Sequence, residues 1–158
     1  MAVWLPMELN ACRPSQPETL ASKSKLTASQ PTAALSAIND RLVPQNADDR
    51  SMPYYHWWPK QGSTEWLVYT FPEATTISRS TVYWFDDEPW GGCRVPAAWK
   101  LYYKDGKTWK EVEALNDYVV KKDCYNSLDF KPVKTTGLKI AAQLQKGVSG
   151  GVIEWKVN

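Results

Sequence analysis

Long apolar runs are missing from this chain. None approaches the roughly 20 residues that a membrane-spanning helix requires. The opening segment MAVWLPMELN is not a signal peptide either: it has no basic start, and Pro6 and Glu8 interrupt its apolar residues. Basic runs are absent too, and the formal net charge is only +2. Nothing therefore favours nucleic acid or an anionic membrane as partner. Cysteine is scarce and odd in number: Cys12, Cys93 and Cys124. With no CxxC or HxxxH spacing, nothing points to a zinc site. Buried free thiols and a single disulfide both remain open. No window of 10–12 residues repeats with the 3.6-residue period of an amphipathic helix, and no internal repeat is visible. Phenylalanine is also rare, with three residues against nine tryptophans and eight tyrosines. A core alone would not prefer Trp and Tyr so strongly, because what they add to Phe is a polar handle.

What is present fits one domain with a substantial core, since the 158 residues are 43% hydrophobic and 23% charged. Residues 3–9 alternate like a strand, and residues 10–24 read as a linker with two prolines. This predicts that residues 1–24 are the last strand of a preceding domain plus a linker, with the module itself over 25–158. KLTAS (25–29) is a short strand and residues 31–40 hold a helical turn. Residues 41–63 form a long structured loop with an aromatic centre, YYHWWP. Strands follow at 64–71, 75–85, 99–103, 108–112, 117–121, 127–130, 138–144 and 152–157, with Pro72 separating the first two. Asp105-Gly106 makes a tight hairpin. Leu138, Ile140, Ala142 and Leu144 point inward, as do Ile153, Trp155 and Val157. Many short strands with frequent turns predict an all-β sandwich.

The order of these pieces resembles a discoidin-like, galactose-binding-like domain, the fold of many carbohydrate-binding modules. The carrying motifs are the IND turn, EW-x-V-Y-x-F, the YYKDGKTW hairpin and the terminal GVIEWKV. YYHWWPKQGSTEW, VYWFDDEPWGGCRVPAAWKLYYKDG and SGGVIEWKV look like the C-terminal module of bacterial beta-L-arabinofuranosidase-type glycoside hydrolases. The resemblance implies a jelly-roll β-sandwich and a non-catalytic accessory role beside a catalytic domain. It also implies an extracellular or periplasmic location and an arabinose- or galactose-containing polysaccharide as partner.

In such modules the loops at one end of the sandwich meet the sugar. Residues 54–63 offer His56, Trp57 and Trp58; residues 85–96 offer Asp86, Asp87, Trp90 and Arg94. A flat indole covers the apolar face of a sugar, while guanidinium and carboxylate groups bond its hydroxyl rim. Adjacent residues in extended chain point opposite ways, so one of Trp57 and Trp58 is core and the other exposed. Arg94 is either a ligand group or an ion-pair partner of Asp86 or Asp87. Trp66, Trp84, Trp99 and Trp155 lie in strands and are expected in the core. A structural reading stands beside the binding one, with the aromatics packing on a catalytic domain.

Catalysis by this chain is not expected. Asp86, Asp87 and Glu88 are consecutive and cannot flank a glycosidic bond, and only Glu65 or Glu154 offers a distant partner. Cys93 with His56 would be a thiol–base pair. The resemblance further implies a structural calcium ion held by Asp40 and Glu154, with carbonyls completing the shell. Here the early turn reads NDRL, so Arg41 stands where the family usually has glycine.

Overall fold

The computed structural model describes residues 18–158; the strand expected at 3–9 and Cys12 lie outside them. Two long antiparallel strands organise the domain, β3 (Thr64–Phe85) and β6 (Asn126–Gln143). Each runs through both layers. The first half of β3 pairs with β1 (Lys25–Ala28) and with the C-terminal half of β6, which also carries β4 (Ala98–Asp105). β5 (Thr108–Glu111) returns along β4 through the Asp105-Gly106 hairpin, where Gly106 has φ of 60°. The second half of β3 pairs with the other half of β6 and with β7 (Gly151–Val157), whose far edge takes β2 (Tyr55–His56).

β3 was expected as two strands broken at Pro72. The break is instead a pair of register shifts, between Thr70 and Thr75 and between Ile77 and Arg79. A proline cannot donate to a sheet ladder, so the strand loses pairing there, bends and crosses into the other layer without ending. Residues 127–130, expected as a separate strand, belong to β6. Residues 117–121, also expected as a strand, are not one. Their backbone groups bond side chains: Trp99 Nε1 donates to Val119 O (3.0 Å), and Lys121 N donates to Asn126 Oδ1 (2.7 Å).

The core lies between the layers. Glu65, Leu67, Tyr69 and Phe71 alternate inward on β3, and the last three share the core with Trp155 of β7. Tyr69 stacks on Trp155 at 4.2 Å and donates its hydroxyl to Trp155 O at 2.8 Å. Such a ring pair contributes about 0.5–1.5 kcal/mol beyond its burial. Leu20 and Ala21, in and before a 3-10 turn at Ala21–Lys23, close one side.

A second apolar cluster sits on the outer face of the second layer: Ala47, Met52, Tyr83, Phe85, Cys93 and Ile153. The long loop 41–54 supplies its cover. This explains why Val82, Tyr83, Trp84 and Phe85 are all buried in succession: both faces of the strand are covered. It also corrects the inward set of β7. The register slips between Tyr83 and Trp84, which leaves Ile153 in the outer cluster while Trp155 and Val157 face the core. Trp66 departs from expectation as well. It alternates with buried Glu65 and Leu67 and stands 38% exposed. Cys93 and Cys124 are free thiols.

Glu65 faces inward at the start of β3, where it accepts from Ser63 Oγ (2.7 Å), Ser29 Oγ (2.8 Å) and Lys60 Nζ (3.0 Å). Burial opposes its charge, but the three hydrogen bonds and the lysine outweigh it and hold the carboxyl below its ordinary 4.5. A depressed acid stabilises the fold above its ordinary pKa and loses that contribution as pH falls through its folded value. Glu65→Gln is expected to cost about 1–2 kcal/mol at neutral pH. In urea denaturation the gap from wild type narrows as pH is lowered below 4.5.

Candidate functional site

The segment 149–151, Ser-Gly-Gly, is a spine that joins two loops. On one side Trp57 N donates to Gly150 O (2.9 Å). On the other, Arg94 N donates to Ser149 O (3.0 Å) and Ser149 N to Gly92 O (2.8 Å). Pairing continues into the strands, so that His56 on β2 and Phe85 on β3 both sit opposite Gly151. A side chain there would run into the backbone, since a Cβ would lie 2.2 Å from Tyr55 O. The glycine lets the two flanking strands close in.

Asp87 fixes the shape of the 86–94 loop. Its Oδ1 accepts from Cys93 N (2.8 Å) and its carbonyl from Trp90 N (2.8 Å) and Gly91 N (3.0 Å). Arg50 approaches Oδ2 at 3.4 Å and Arg94 approaches Oδ1 at 3.6 Å. A Cβ on Gly91 would fall 1.8 Å from Asp87 Oδ2, so only glycine fits. Arg94 donates from Nη1 to Gly91 O (2.7 Å) and Cys93 O (2.8 Å), and its Nε lies 3.7 Å from Glu88. Of its two expected roles the ion pair is present, with Asp87 and not with Asp86. Asp86 was expected to face a ligand, but it is 2% exposed. Its carboxylate accepts from Glu88 N (3.0 Å) and Val95 N (2.9 Å) and faces Lys122 at 3.4 Å, so it shapes the loop from within.

The aromatic loop separates by period two. Tyr55 and Trp57 are fully buried in the main core, which removes Trp57 from the candidate ligand groups. Tyr54, His56 and Trp58 face the other way. They line a pocket of about 230 Å³ together with Phe85, Asp87, Gly92 and Cys93. Tyr54 stacks on Phe85 at 4.2 Å. Trp58, 45% exposed, lies against Gly92, where a Cβ would come 2.4 Å from its ring. His56 Nδ1 is buried without a hydrogen-bond partner. Trp90 projects from the neighbouring loop, 83% exposed. Thus His56, Trp58 and Asp87 come together at the pocket, Trp90 stands on the adjoining loop, and Arg94 braces that loop. Tyr54 and Phe85 were not anticipated as lining residues; the alternation within YYHWW carried the signal for Tyr54.

The pocket does not offer hydrolytic chemistry. Asp87 is the one carboxylate among its lining residues, whereas glycoside hydrolysis needs two across the bond. Cys93 and His56 do share the pocket. Burial, then the charge of Asp87, pushes the thiol up to about 12, so it stays protonated and is a poor nucleophile.

Asp40 and Glu154 are brought face to face elsewhere. Burial, then the charge of Asp40, pushes the Glu154 carboxyl up to about 9. The protonated Glu154 carboxyl hydrogen-bonds Asp40, and beyond this shared proton Asp40 Oδ2 and Glu154 Oε2 are buried with no donor. Asp40 Oδ1 accepts from Leu42 N at 2.9 Å, and Arg41 takes the left-handed φ of 65°. The turn therefore keeps the backbone that a glycine would favour, in spite of its arginine.

No protein-family model matches the chain. Among solved structures it is similar to one from the Streptococcus pneumoniae beta-galactosidase BgaA, with TM-score 0.71, 16% identity, and 92% and 97% of the two chains covered. A chitosan-binding module of a chitosanase/glucanase from Paenibacillus matches with TM-score 0.61 and 14% identity over 89% and 98%. The family 32 carbohydrate-binding module of Clostridium perfringens NanJ, solved with galactose, matches with TM-score 0.60 and 15% identity over 87% and 95%. The chain has the galactose-binding-like β-sandwich fold of these modules.

Gly91→Ala is expected to displace Asp87 and destabilise the protein by about 1–3 kcal/mol, read as a lowered melting temperature.

Proposed function

We propose that this chain is a non-catalytic carbohydrate-binding module that recognises a neutral glycan through the pocket at Trp58 and the adjoining Trp90. The observation that carries this reading is the lining of that pocket. Tyr54, Phe85 and Trp58 give it apolar walls, while His56 and Asp87 give it polar groups. A sugar needs both, an apolar surface for its C–H face and directional partners for its hydroxyls. The unpartnered His56 Nδ1 gains a hydrogen bond when a hydroxyl enters, which recovers part of the cost of burying it bare. Trp90, exposed and held at its backbone by Asp87, adds a platform for a second sugar unit.

The shared fold supports the class, and the sequence motifs support an arabinose- or galactose-containing polysaccharide as ligand. The parent protein on this reading is an exported glycoside hydrolase of the beta-L-arabinofuranosidase type. The module holds its catalytic domain near the glycan and raises the local substrate concentration through a second attachment point.

Titration calorimetry with galactose, arabinose and polysaccharides containing them tests the reading. Wild type binds at least one of them, and Trp58→Ala and Trp90→Ala each weaken binding about tenfold, equivalent to about 1.4 kcal/mol. Absence of binding at millimolar sugar, or unchanged binding in both variants, contradicts it.

Asp40 and Glu154 also fit a structural calcium ion, because two buried acids face each other with no donor but a shared proton, which a cation can replace. Among the described residues no third acid, histidine or cysteine joins them, so carbonyls and water complete the shell of six or more oxygens. Bound calcium supplies the positive charge that allows both carboxylates to ionise together. Millimolar calcium is then expected to raise the melting temperature of wild type over a chelated sample, and to leave Glu154→Gln unchanged. An equal response in both proteins contradicts this assignment.

A further inference from the structure

We propose that the outer face of the first layer carries a second saccharide site, selective for a sugar bearing a carboxylate, in the cleft between Trp66 and Trp109 beside Lys139. The sheet register builds this cleft. Val68, Lys139, Tyr102 and Glu111 form one row across β3, β6, β4 and β5, and Trp66, Ala141 and Lys100 form the next. All alternate with core residues such as Leu67, Ile140 and Leu101, and so point outward. Trp109 reaches across the sheet to Gly137, where a Cβ would lie 3.4 Å from Trp109 Cη2. Trp66, Val68, Trp109 and Lys139 line an open cleft of about 150 Å³.

The charge on this face is unbalanced. Lys100 pairs with Glu111 at 3.2 Å. Among the described residues Lys139 and Lys104 have no carboxylate partner. Lys139 Nζ stands 5.1 Å from the rings of both Tyr102 and Trp109, and Lys104 Nζ stands 4.9 Å from Trp109. Burial, then repulsion from Lys104, lowers the pKa of Lys139. An anion in the cleft meets the Lys139 ammonium and offsets that repulsion. Two indole walls take the apolar faces of a ring, and Lys139 takes one carboxylate. That combination describes a uronate. A nucleic-acid strand needs a continuous cationic track, and Glu111 interrupts this one. The cleft shares no lining residue with the pocket at Trp58.

The test uses a galacturonate trimer and its methyl ester, titrated by calorimetry and tryptophan fluorescence at low salt. The free acid binds, the ester binds about tenfold more weakly or not at all, and added salt weakens the acid. Lys139→Met and Trp109→Ala each lose about tenfold, whereas Leu115→Ala, an exposed residue that lines neither site, binds as wild type does. Equal binding of acid and ester by wild type overturns the proposal without reliance on any variant. So does an undiminished Lys139→Met, or loss in Leu115→Ala. Binding of a sulfated saccharide, single-stranded DNA or polyglutamate as tight as that of the uronate overturns the assignment to a carboxylate sugar. Failure of neutral sugars to bind bears on the pocket at Trp58 and leaves this cleft unaffected.

Discussion

The carboxylate of Asp87 is the contact on which the pocket-bearing end of the sandwich depends. It closes the 86–94 loop through Cys93 N, sits where any side chain at residue 91 would go, and draws Arg50 and Arg94 toward one point. Its own carbonyl fixes the backbone of Trp90. A charged group 8% exposed is costly unless its lone pairs are filled, and here a backbone N–H and two guanidinium groups face it. The return is rigidity. An exposed indole on a loose loop would have to be ordered at the moment of binding, whereas one fixed beforehand would not.

The scaffold beneath follows the same logic. Because the loop over 41–54 covers the outer face of the second layer, Tyr83 and Phe85 are buried on one side of β3 while Val82 and Trp84 are buried on the other. The strand end that carries Phe85 into the pocket is therefore gripped on both faces. The first layer has no such cover. Its outward residues, Trp66, Tyr102 and Trp109 among three lysines, meet solvent, which is why the two layers present surfaces of different chemistry.

Much of this was legible in the sequence. Strand alternation identified Leu138, Ile140, Ala142 and Leu144 as core, and all four are buried. The hairpin at Asp105-Gly106 and the end of β3 at Phe85 were fixed by local turn chemistry. The misreadings have physical causes. Pro72 marked a bend and not an end, because loss of one ladder donor permits a strand to change layers. Residues 117–121 have the composition of a strand but bond to Trp99 and Asn126 side chains, which no local pattern announces. Ile153 left the core face through a one-residue slip. Asp86 looked like a ligand group because composition reveals charge but not the backbone donors that satisfy it. Within YYHWWP, exposure of Trp58 and burial of Trp57 followed from the pairing of β2 with β7, a contact distant in sequence.

The central claim is that sugar meets Trp58 and Trp90 while the core tryptophans remain dry. Nitrogen-15 NMR of the indole N–H groups tests it directly, since each tryptophan gives its own signal. On addition of a galactose- or arabinose-containing oligosaccharide, the signals of Trp58 and Trp90 should move, and those of Trp57, Trp84 and Trp155 should stay. Movement of none of them, or of Trp66 and Trp109 alone with a neutral sugar, would contradict the account.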